Sequence, residues 1–215
     1  MRIFLAEDQF LLRQGLERLL ASNGVEVVGS VAEAGEIVPG VLETQPDVAL
    51  LDIRMPPTNT DEGIRAALEL RRARRGFPVL LLSQYVEHLY LDELLGDGAG
   101  AIGYLLKDRV FDDVSFVAAL RTVASGGTVI DPEVITTLMQ RKVLADRLSA
   151  LTPRETEVLE LMARGEANAA MAERLVVTEK AIQKHINSIF AKLGLSEEPN
   201  SSRRVLAVLA FLRAG

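Results

Sequence analysis

The run LLDIRMPP, Leu50 to Pro57, ends an apolar segment on a single carboxylate, Asp52, and follows it with two prolines. Such a segment belongs in an interior, where a carboxylate is costly to bury unpaired. Pro56 and Pro57 cannot extend a strand ladder, so the strand stops beside the acid. Three uses of Asp52 follow from this placement: a terminus facing water, a metal ligand, or a group that does chemistry.

Similar runs recur on both sides of it, as RIFLA from residue 2, VEVVGS from 25, DVALLDI from 47, PVLLLS from 78 and IGYLL from 102. Between them lie segments with helical spacing: Phe10 to Ser22, Ala32 to Glu43, Asp61 to Arg75 and Glu87 to Gly96, with Phe111 to Ser125 after the last. Strands that are apolar throughout and alternate with helices predict parallel βαβ units. Right-handed crossovers then give an α/β, flavodoxin-like, doubly wound parallel sheet of five strands over residues 1–125. Ligands of such sheets bind beyond the carboxyl ends of the strands.

The pattern breaks at Gly126-Gly127, and residues 126–150 read as a partly helical linker with Asp131 and Pro132 as N-cap and N1 of a helix. From Leu151 no strand signal remains. Thr152, Pro153 and Glu155 form a capping box with a preset first turn, and Gly165 closes that helix. Further helices are predicted over Asn168 to Leu175, Thr178 to Leu193 and Ser201 to Leu212. The first two of these are joined only by Val176-Val177, a helix-turn-helix joint. Residues 151–215 therefore make an all-α domain of four helices.

Composition narrows the function classes. The 215 residues include no cysteine, which excludes disulfides, thiol catalysis and cysteine-ligated zinc. The two histidines, His88 and His185, have no metal-ligand spacing. There is no apolar run near the ~18 residues a bilayer requires, and the opening MRIFLAED lacks the order of a signal peptide. A cytoplasmic protein without a membrane partner is expected. Ala150 to Gly215 holds nine basic and eight acidic residues, a balance of +1 against −6 for the whole chain, which leaves the first part at −7. An acidic front and a near-neutral back predict different partners for the two domains.

The strand ends gather chemistry. The first ends in Glu7-Asp8, the third in Asp52, the fourth in Ser83, and the fifth is followed by Lys107. Three carboxylates together either raise a pKa or bind a cation. Oxygen ligands with few protein contributors suit Mg²⁺, which keeps waters and bridges to phosphate oxygens. A lysine and a serine hydroxyl can contact a phosphoryl group, and a carboxylate can itself be the nucleophile that forms an aspartyl-phosphate.

With these residues the first domain resembles the receiver domain of two-component response regulators. The resemblance rests on Glu7-Asp8, on Asp52 in DIRMPP, on Ser83, and on YLLKD with Tyr104 and Lys107. It implies that Asp52 accepts a phosphoryl group from a sensor histidine kinase. It also implies that Glu7, Asp8, Asp52 and the backbone carbonyl of Arg54 approach Mg²⁺, some through water. Ser83 and Lys107 would contact the phosphoryl group, and Tyr104 would move as the switch. Two departures stand out. The PPTNTDEG loop, residues 56–63, runs about a residue longer than the family's turn, and Asp108 follows Lys107 where many members have a proline in cis.

The helix from Thr178 has an inward stripe, Ile182, Ile186, Ile189, Phe190 and Leu193, and an opposite polar face of Lys180, Gln183, Lys184 and Asn187 with Ala191. Such side chains suit base edges or phosphates in a major groove. The run from Leu151 to the C-terminus resembles the LuxR-type helix-turn-helix of NarL/FixJ response regulators. That likeness places Gln183, Lys184 and Asn187 at base-reading positions, Lys180 and Lys192 near phosphates, and His185 in packing. Ala167 stands where a capping serine is common, and Val205, Leu206, Leu209 and Leu212 look like core plus a dimer face.

The combined expectation is a transcriptional regulator controlled by phosphorylation, with double-stranded DNA and a homodimer partner. Phosphorylation would draw Ser83 inward, shift Tyr104 and release or dimerise the DNA-binding domain. An aspartate-dependent phosphatase would want a second acid two residues after the nucleophile, where Arg54 stands. A receiver that is ligand-gated or constitutive is the third alternative, and the complete set from Glu7 to Lys107 speaks against it.

Overall fold

The computed structural model describes residues 1–84, 94, 98–195 and 200–214. The helix expected over Glu87 to Gly96, and His88 with it, lies outside these residues except for Leu94. The chain forms two compact units, Met1–Thr136 and Thr137–Gly215.

The first unit is built on a parallel sheet. Its strands are β1 (Arg2–Ala6), β2 (Glu26–Val31), β3 (Val48–Asp52), β4 (Val79–Ser83), β5 (Ile102–Leu106) and β6 (Thr128–Ile130). They lie in the order β2-β1-β3-β4-β5-β6. The helices are α1 (Phe10–Ser22), α2 (Ile37–Thr44), α3 (Glu62–Ala73) and α4 (Asp113–Ala124). All of β3, β4 and β5 is buried, as expected for strands covered on both faces. Alternation along the strands sorts the core: Ile3, Leu5, Leu50, Leu80 and Leu82 pack with Leu16 and Leu20 of α1 and with Phe116 and Leu120 of α4. Each fully buried leucine here contributes about 1.5–3 kcal/mol relative to exposure.

The sheet has six strands rather than the expected five. The sixth comes from the stretch read as the start of a linker. The Gly126-Gly127 pair turns the chain back, with the amides of Gly126 and Gly127 donating to the carbonyls of Val123 (2.9 Å) and Thr122 (2.9 Å). Gly126 sits at φ +95°, which glycine adopts without a Cβ penalty. Thr128, Val129 and Ile130 then pair in parallel with Ile102, Gly103 and Tyr104. Three residues are too few for a periodicity to register, and their strand state depends on the partner strand.

The second unit continues α5 (Pro132–Ser149) into α6 (Pro153–Ala163), α7 (Asn168–Leu175), α8 (Glu179–Lys192) and α9 (Asn200–Ala214). Thr152 caps α6 in a complete capping box with Glu155. Ala167 begins α7 with no side-chain cap, and Thr178 caps α8 through the amide of Ala181. At the α7–α8 joint Val176 holds φ +55°, a left-handed conformation rare for a β-branched residue. The core joins Val158, Leu159 and Met162 of α6, Met171 of α7, Ile182, Ile186, Ile189 and Phe190 of α8, and Ala207 of α9.

Glu155 does more than cap. It is 4 % exposed, and it accepts hydrogen bonds from the Thr152 amide (2.7 Å), the Ser188 hydroxyl (2.6 Å) and the Lys192 ammonium (2.6 Å). Burial alone would raise its pKa, but the Lys192 and Ser188 hydrogen bonds and those of Thr152 outweigh it and pull the value down from 4.5 to about 2. A depressed acid stabilises the fold above its unfolded pKa, and that contribution fades as pH falls through the folded value.

Two outcomes follow. Glu155→Gln lowers the stability of the second unit's unfolding transition by on the order of 2–3 kcal/mol at pH 7. In denaturant titrations the gap between wild type and variant narrows as pH drops below about 4.5 toward 2; a gap independent of pH contradicts this role. In the first unit, a Cβ on Gly63 would lie 1.9 Å from the Asp52 carbonyl oxygen, a clash with backbone that no rotamer relieves. Gly63→Ala is therefore expected to cost about 1–3 kcal/mol or more in chemical denaturation, and an unchanged midpoint would show that the approach can relax.

Candidate functional site

The β1–β3 neighbourhood is where the strand order reverses, since β2 lies on one side of β1 and β3 to β6 run out from the other. A crevice opens at the carboxyl end of such a switch point. Glu7 and Asp8 follow β1, and Asp52 ends β3. One carboxylate oxygen from each of the three lies within 4.8 Å of the others.

Lys107, immediately after β5, reaches into this group. Its ammonium is 2.9 Å from Asp52 Oδ2 and 3.0 and 2.8 Å from Glu7 Oε1 and Oε2. Glu7 is fully buried, Asp52 4 % exposed. The Gln9 amide also donates to Glu7 Oε1 (3.2 Å), and the Arg54 amide to Asp52 Oδ1 (3.3 Å). Glu7 Oε2 has the ionic contact with Lys107 but no hydrogen bond.

The electrostatics match this crowding. Burial, followed by the charge of Asp52, pushes Glu7 up to about 7 despite Lys107. Burial likewise raises Asp52, against the hydrogen bond and charge of Lys107. Burial disfavours the Lys107 charge, but its bonds to Glu7 and Asp52 prevail and hold its pKa above the usual value. One ammonium is too little positive charge for three clustered carboxylates. The donor set fits a hard divalent cation such as Mg²⁺.

Ser83 ends β4 with 1 % exposure. Tyr104 is fully buried in β5, in register with Leu81 of β4 and Ile130 of β6. The sheet thus carries Glu7, Asp8, Asp52, Ser83 and Lys107 to the same strand-end edge, with Tyr104 three residues before Lys107 on β5. The Lys107–Asp108 peptide is trans, and the cis bond of the described residues joins Pro56 and Pro57.

The 56–63 loop closes beside the site by its own bonds. Glu62 folds back to accept from the amides of Thr58 (3.2 Å) and Thr60 (2.9 Å) and from the Thr58 hydroxyl. Asn59, at φ +55°, donates from its amide to the Met55 carbonyl (3.0 Å), and Gly63 donates to the Ile53 carbonyl (2.9 Å). These bonds hold the first turn of α3 against the end of β3.

Three side chains have partners that sequence reasoning missed. Arg71 is buried in α3 and donates to the carbonyls of Phe77 (2.9 Å) and Gly100 (3.0 Å), joining the entrances of β4 and β5. Asp131 accepts a two-pronged bond from Arg109 (2.6 and 3.0 Å), while its amide donates to the Tyr104 carbonyl (2.8 Å). That pairing, ahead of burial, keeps Asp131 below the usual carboxylate range. Its N-cap position was visible in the Asp131-Pro132 pair, but its partner 22 residues earlier appears only once β6 pairs with β5.

On α8 the residues Lys180, Gln183, Lys184 and Asn187 are all exposed, with His185 partly covered. Lys192 has an internal partner that the sequence did not signal: it pairs with Glu155 and donates to the Ala150 carbonyl (3.0 Å). Among the described residues no helix is long and apolar enough to cross a membrane.

Comparison with known proteins agrees with this geometry. Residues 3–120 match the response regulator receiver domain family, and residues 149–210 match the bacterial regulatory proteins of the luxR family. The oxygen regulatory protein NreC of Staphylococcus aureus is 33% identical over 209 residues, covering 93% of this chain and 94% of that protein; NreC of Staphylococcus carnosus matches equally. Among solved structures, the response regulator ChrA of a heme-sensing two-component system is 31% identical with a TM-score of 0.50, covering 99% of this chain and 96% of that one. The RcsB response regulator in complex with DNA shares the fold at 23% identity and a TM-score of 0.58, covering 100% and 98%. With a receiver domain over residues 3–120 and a luxR-family domain over residues 149–210, the chain belongs to the NarL/FixJ-type response regulators.

Proposed function

We propose that Asp52 is the phosphoacceptor of this regulator, that the donor is a phosphohistidine of a sensor kinase, and that the modification controls dimerisation and DNA binding. The observation that carries the reading is the Lys107 ammonium held 2.9 Å from Asp52 beside Glu7 and Asp8. An Asp52 oxygen attacks phosphorus, the phosphorus–nitrogen bond of the donor breaks, and the freed imidazole takes a proton from solvent. Glu7, Asp8, Asp52 and the Arg54 carbonyl would hold Mg²⁺, some through water, and the bound ion would neutralise charge on the transferred group. Lys107 pairs with one phosphoryl oxygen and the Ser83 hydroxyl donates to another.

The chain's own part is positioning. Burial of the strand behind Asp52 and the turn locked by Glu62 keep the acceptor in place, so little reorganisation accompanies transfer. Drawing Ser83 toward the new phosphoryl group alters packing at the end of β4, next to Tyr104 on β5, which is the switch element. The protein acts as a phosphoacceptor with at most self-phosphorylation and self-dephosphorylation, in the cytoplasm.

For DNA, Gln183, Lys184 and Asn187 read bases and Lys180 contacts a phosphate. Lys192 has three ammonium hydrogens, two of them engaged by Glu155 and Ala150, and the third serves a phosphate while the others brace α8 against α6. The near-neutral balance of this region makes single-copy affinity modest, so pairing of two copies on adjacent half-sites raises occupancy.

The test uses the full chain and a duplex selected from a random pool. Beryllofluoride with Mg²⁺ should raise affinity for that duplex by roughly tenfold or more, as expected when a second copy is recruited, and Asp52→Asn should abolish the response. An equal response in Asp52→Asn, or none in wild type, contradicts the reading.

A further inference from the structure

The outward amides of α8 are linked to one another and to α9. Arg204 donates from Nη1 to Asn168 Oδ1 (3.0 Å) and from Nη2 to the Glu166 carbonyl (2.5 Å). Asn168 Nδ2 donates to Gln183 Oε1 (3.1 Å), and Gln183 Nε2 donates to Asn187 Oδ1 (3.1 Å). The chain runs from the last helix, through the first residue of α7, to two successive residues of the α8 outward face.

Its direction is dictated by its first member. A primary amide can present either end, because its oxygen and nitrogen are alike in size and shape. A guanidinium has only donors. Asn168 must therefore turn its oxygen to Arg204 and its nitrogen to Gln183. Gln183 must answer with its oxygen, which leaves its nitrogen for Asn187. Asn187 accepts on Oδ1 and is left with both Nδ2 hydrogens for an outside acceptor. A reversal at any link would set donor against donor or acceptor against acceptor.

Lys180 and Lys184, on the same face, are also donors only. The face is thus rich in donors. In the major groove guanine shows two acceptors, N7 and O6, whereas adenine shows an acceptor and a donor and is read by an amide that uses its oxygen as well. Here the Asn187 oxygen is already engaged by Gln183.

We propose that Arg204 is a specificity-determining positioning residue: acting through Asn168 and Gln183, it sets Asn187 as a hydrogen-bond donor and biases the base pair beneath it toward guanine over adenine. The proposal rests on α8 being the DNA-reading helix. Arg204 itself touches no base.

The experiment measures discrimination rather than affinity. Full-length protein with beryllofluoride and Mg²⁺ is bound to a duplex selected from a random pool, in competition with duplexes in which each base pair is changed in turn, G·C to A·T and A·T to G·C. Asn187→Ala locates the pair in question as the one where discrimination disappears. At that pair wild type should favour guanine by roughly tenfold, the order of one good base contact. Arg204→Lys, still donor only, should keep the preference. Arg204→Gln, which can offer either end, should reduce it below about threefold.

Asn168→Asp is the sharper arm, and it stands if Arg204→Gln fails to fold by thermal melting. A carboxylate accepts only, so it takes the Gln183 nitrogen, turns the Gln183 oxygen to Asn187 and exposes the Asn187 oxygen. The preference should then reverse to adenine. An intact guanine preference in the Asn168→Asp or Arg204→Gln proteins overturns the proposal alone, as does a wild type that favours adenine. If Asn187→Ala changes discrimination at no position, base reading by this face of α8 fails, and the proposal falls with it.

Discussion

A single ammonium facing two buried carboxylates organises the first unit. Lys107 must sit within 3.0 Å of both Glu7 and Asp52, yet these three residues come from the ends of three different strands. The geometry holds only if β1, β3 and β5 run parallel, in register, with β4 between the last two. The buried faces of those strands supply the rigidity, and the site uses it. Charge is imbalanced in the crevice by design of the fold: burial raises both acids, and only an added cation or a proton restores the balance. A crevice of that kind favours a divalent ion and tolerates the approach of an anionic phosphoryl group once the ion is present.

The second unit treats its buried acid in the opposite way. Glu155 accepts from Thr152, Ser188 and Lys192, and these bonds pull its pKa down to about 2. Glu7, with burial and a like charge against it, lies at about 7. Both are nearly inaccessible glutamates on the same chain. Glu7 is raised by burial and by the charge of Asp52 beside it, whereas at Glu155 the hydrogen bonds of Lys192, Ser188 and Thr152 outweigh burial and lock the helices together.

The alternation of apolar runs and helical spacing was enough for the doubly wound sheet, because strands buried on both faces leave a strong signal. Strand ends then located Glu7, Asp8, Asp52, Ser83 and Lys107 on one edge. The sixth strand, β6 at the edge of the sheet, was hidden: Thr128 to Ile130 is too short to show a period and is a strand because β5 offers hydrogen bonds to it. The same holds for Arg109 with Asp131, Lys192 with Glu155, and Arg204 with Asn168, 36 residues apart. Such pairs join elements far apart in sequence, and residue type alone does not say which basic residue meets which acceptor. Val176 shows the converse, since its left-handed conformation at the α7–α8 joint is one that residue preferences argue against.

Chemical trapping reads out whether Asp52 carries the phosphoryl group. The full chain is incubated with a small-molecule acyl phosphate and Mg²⁺, reduced with borohydride, digested and sequenced by mass spectrometry. Borohydride converts an aspartyl-phosphate to homoserine and leaves a free carboxylate unchanged. Phosphoryl transfer to Asp52 gives homoserine at position 52 and nowhere else, dependent on Mg²⁺. Homoserine at position 8 instead, or no homoserine in a folded protein, would contradict it.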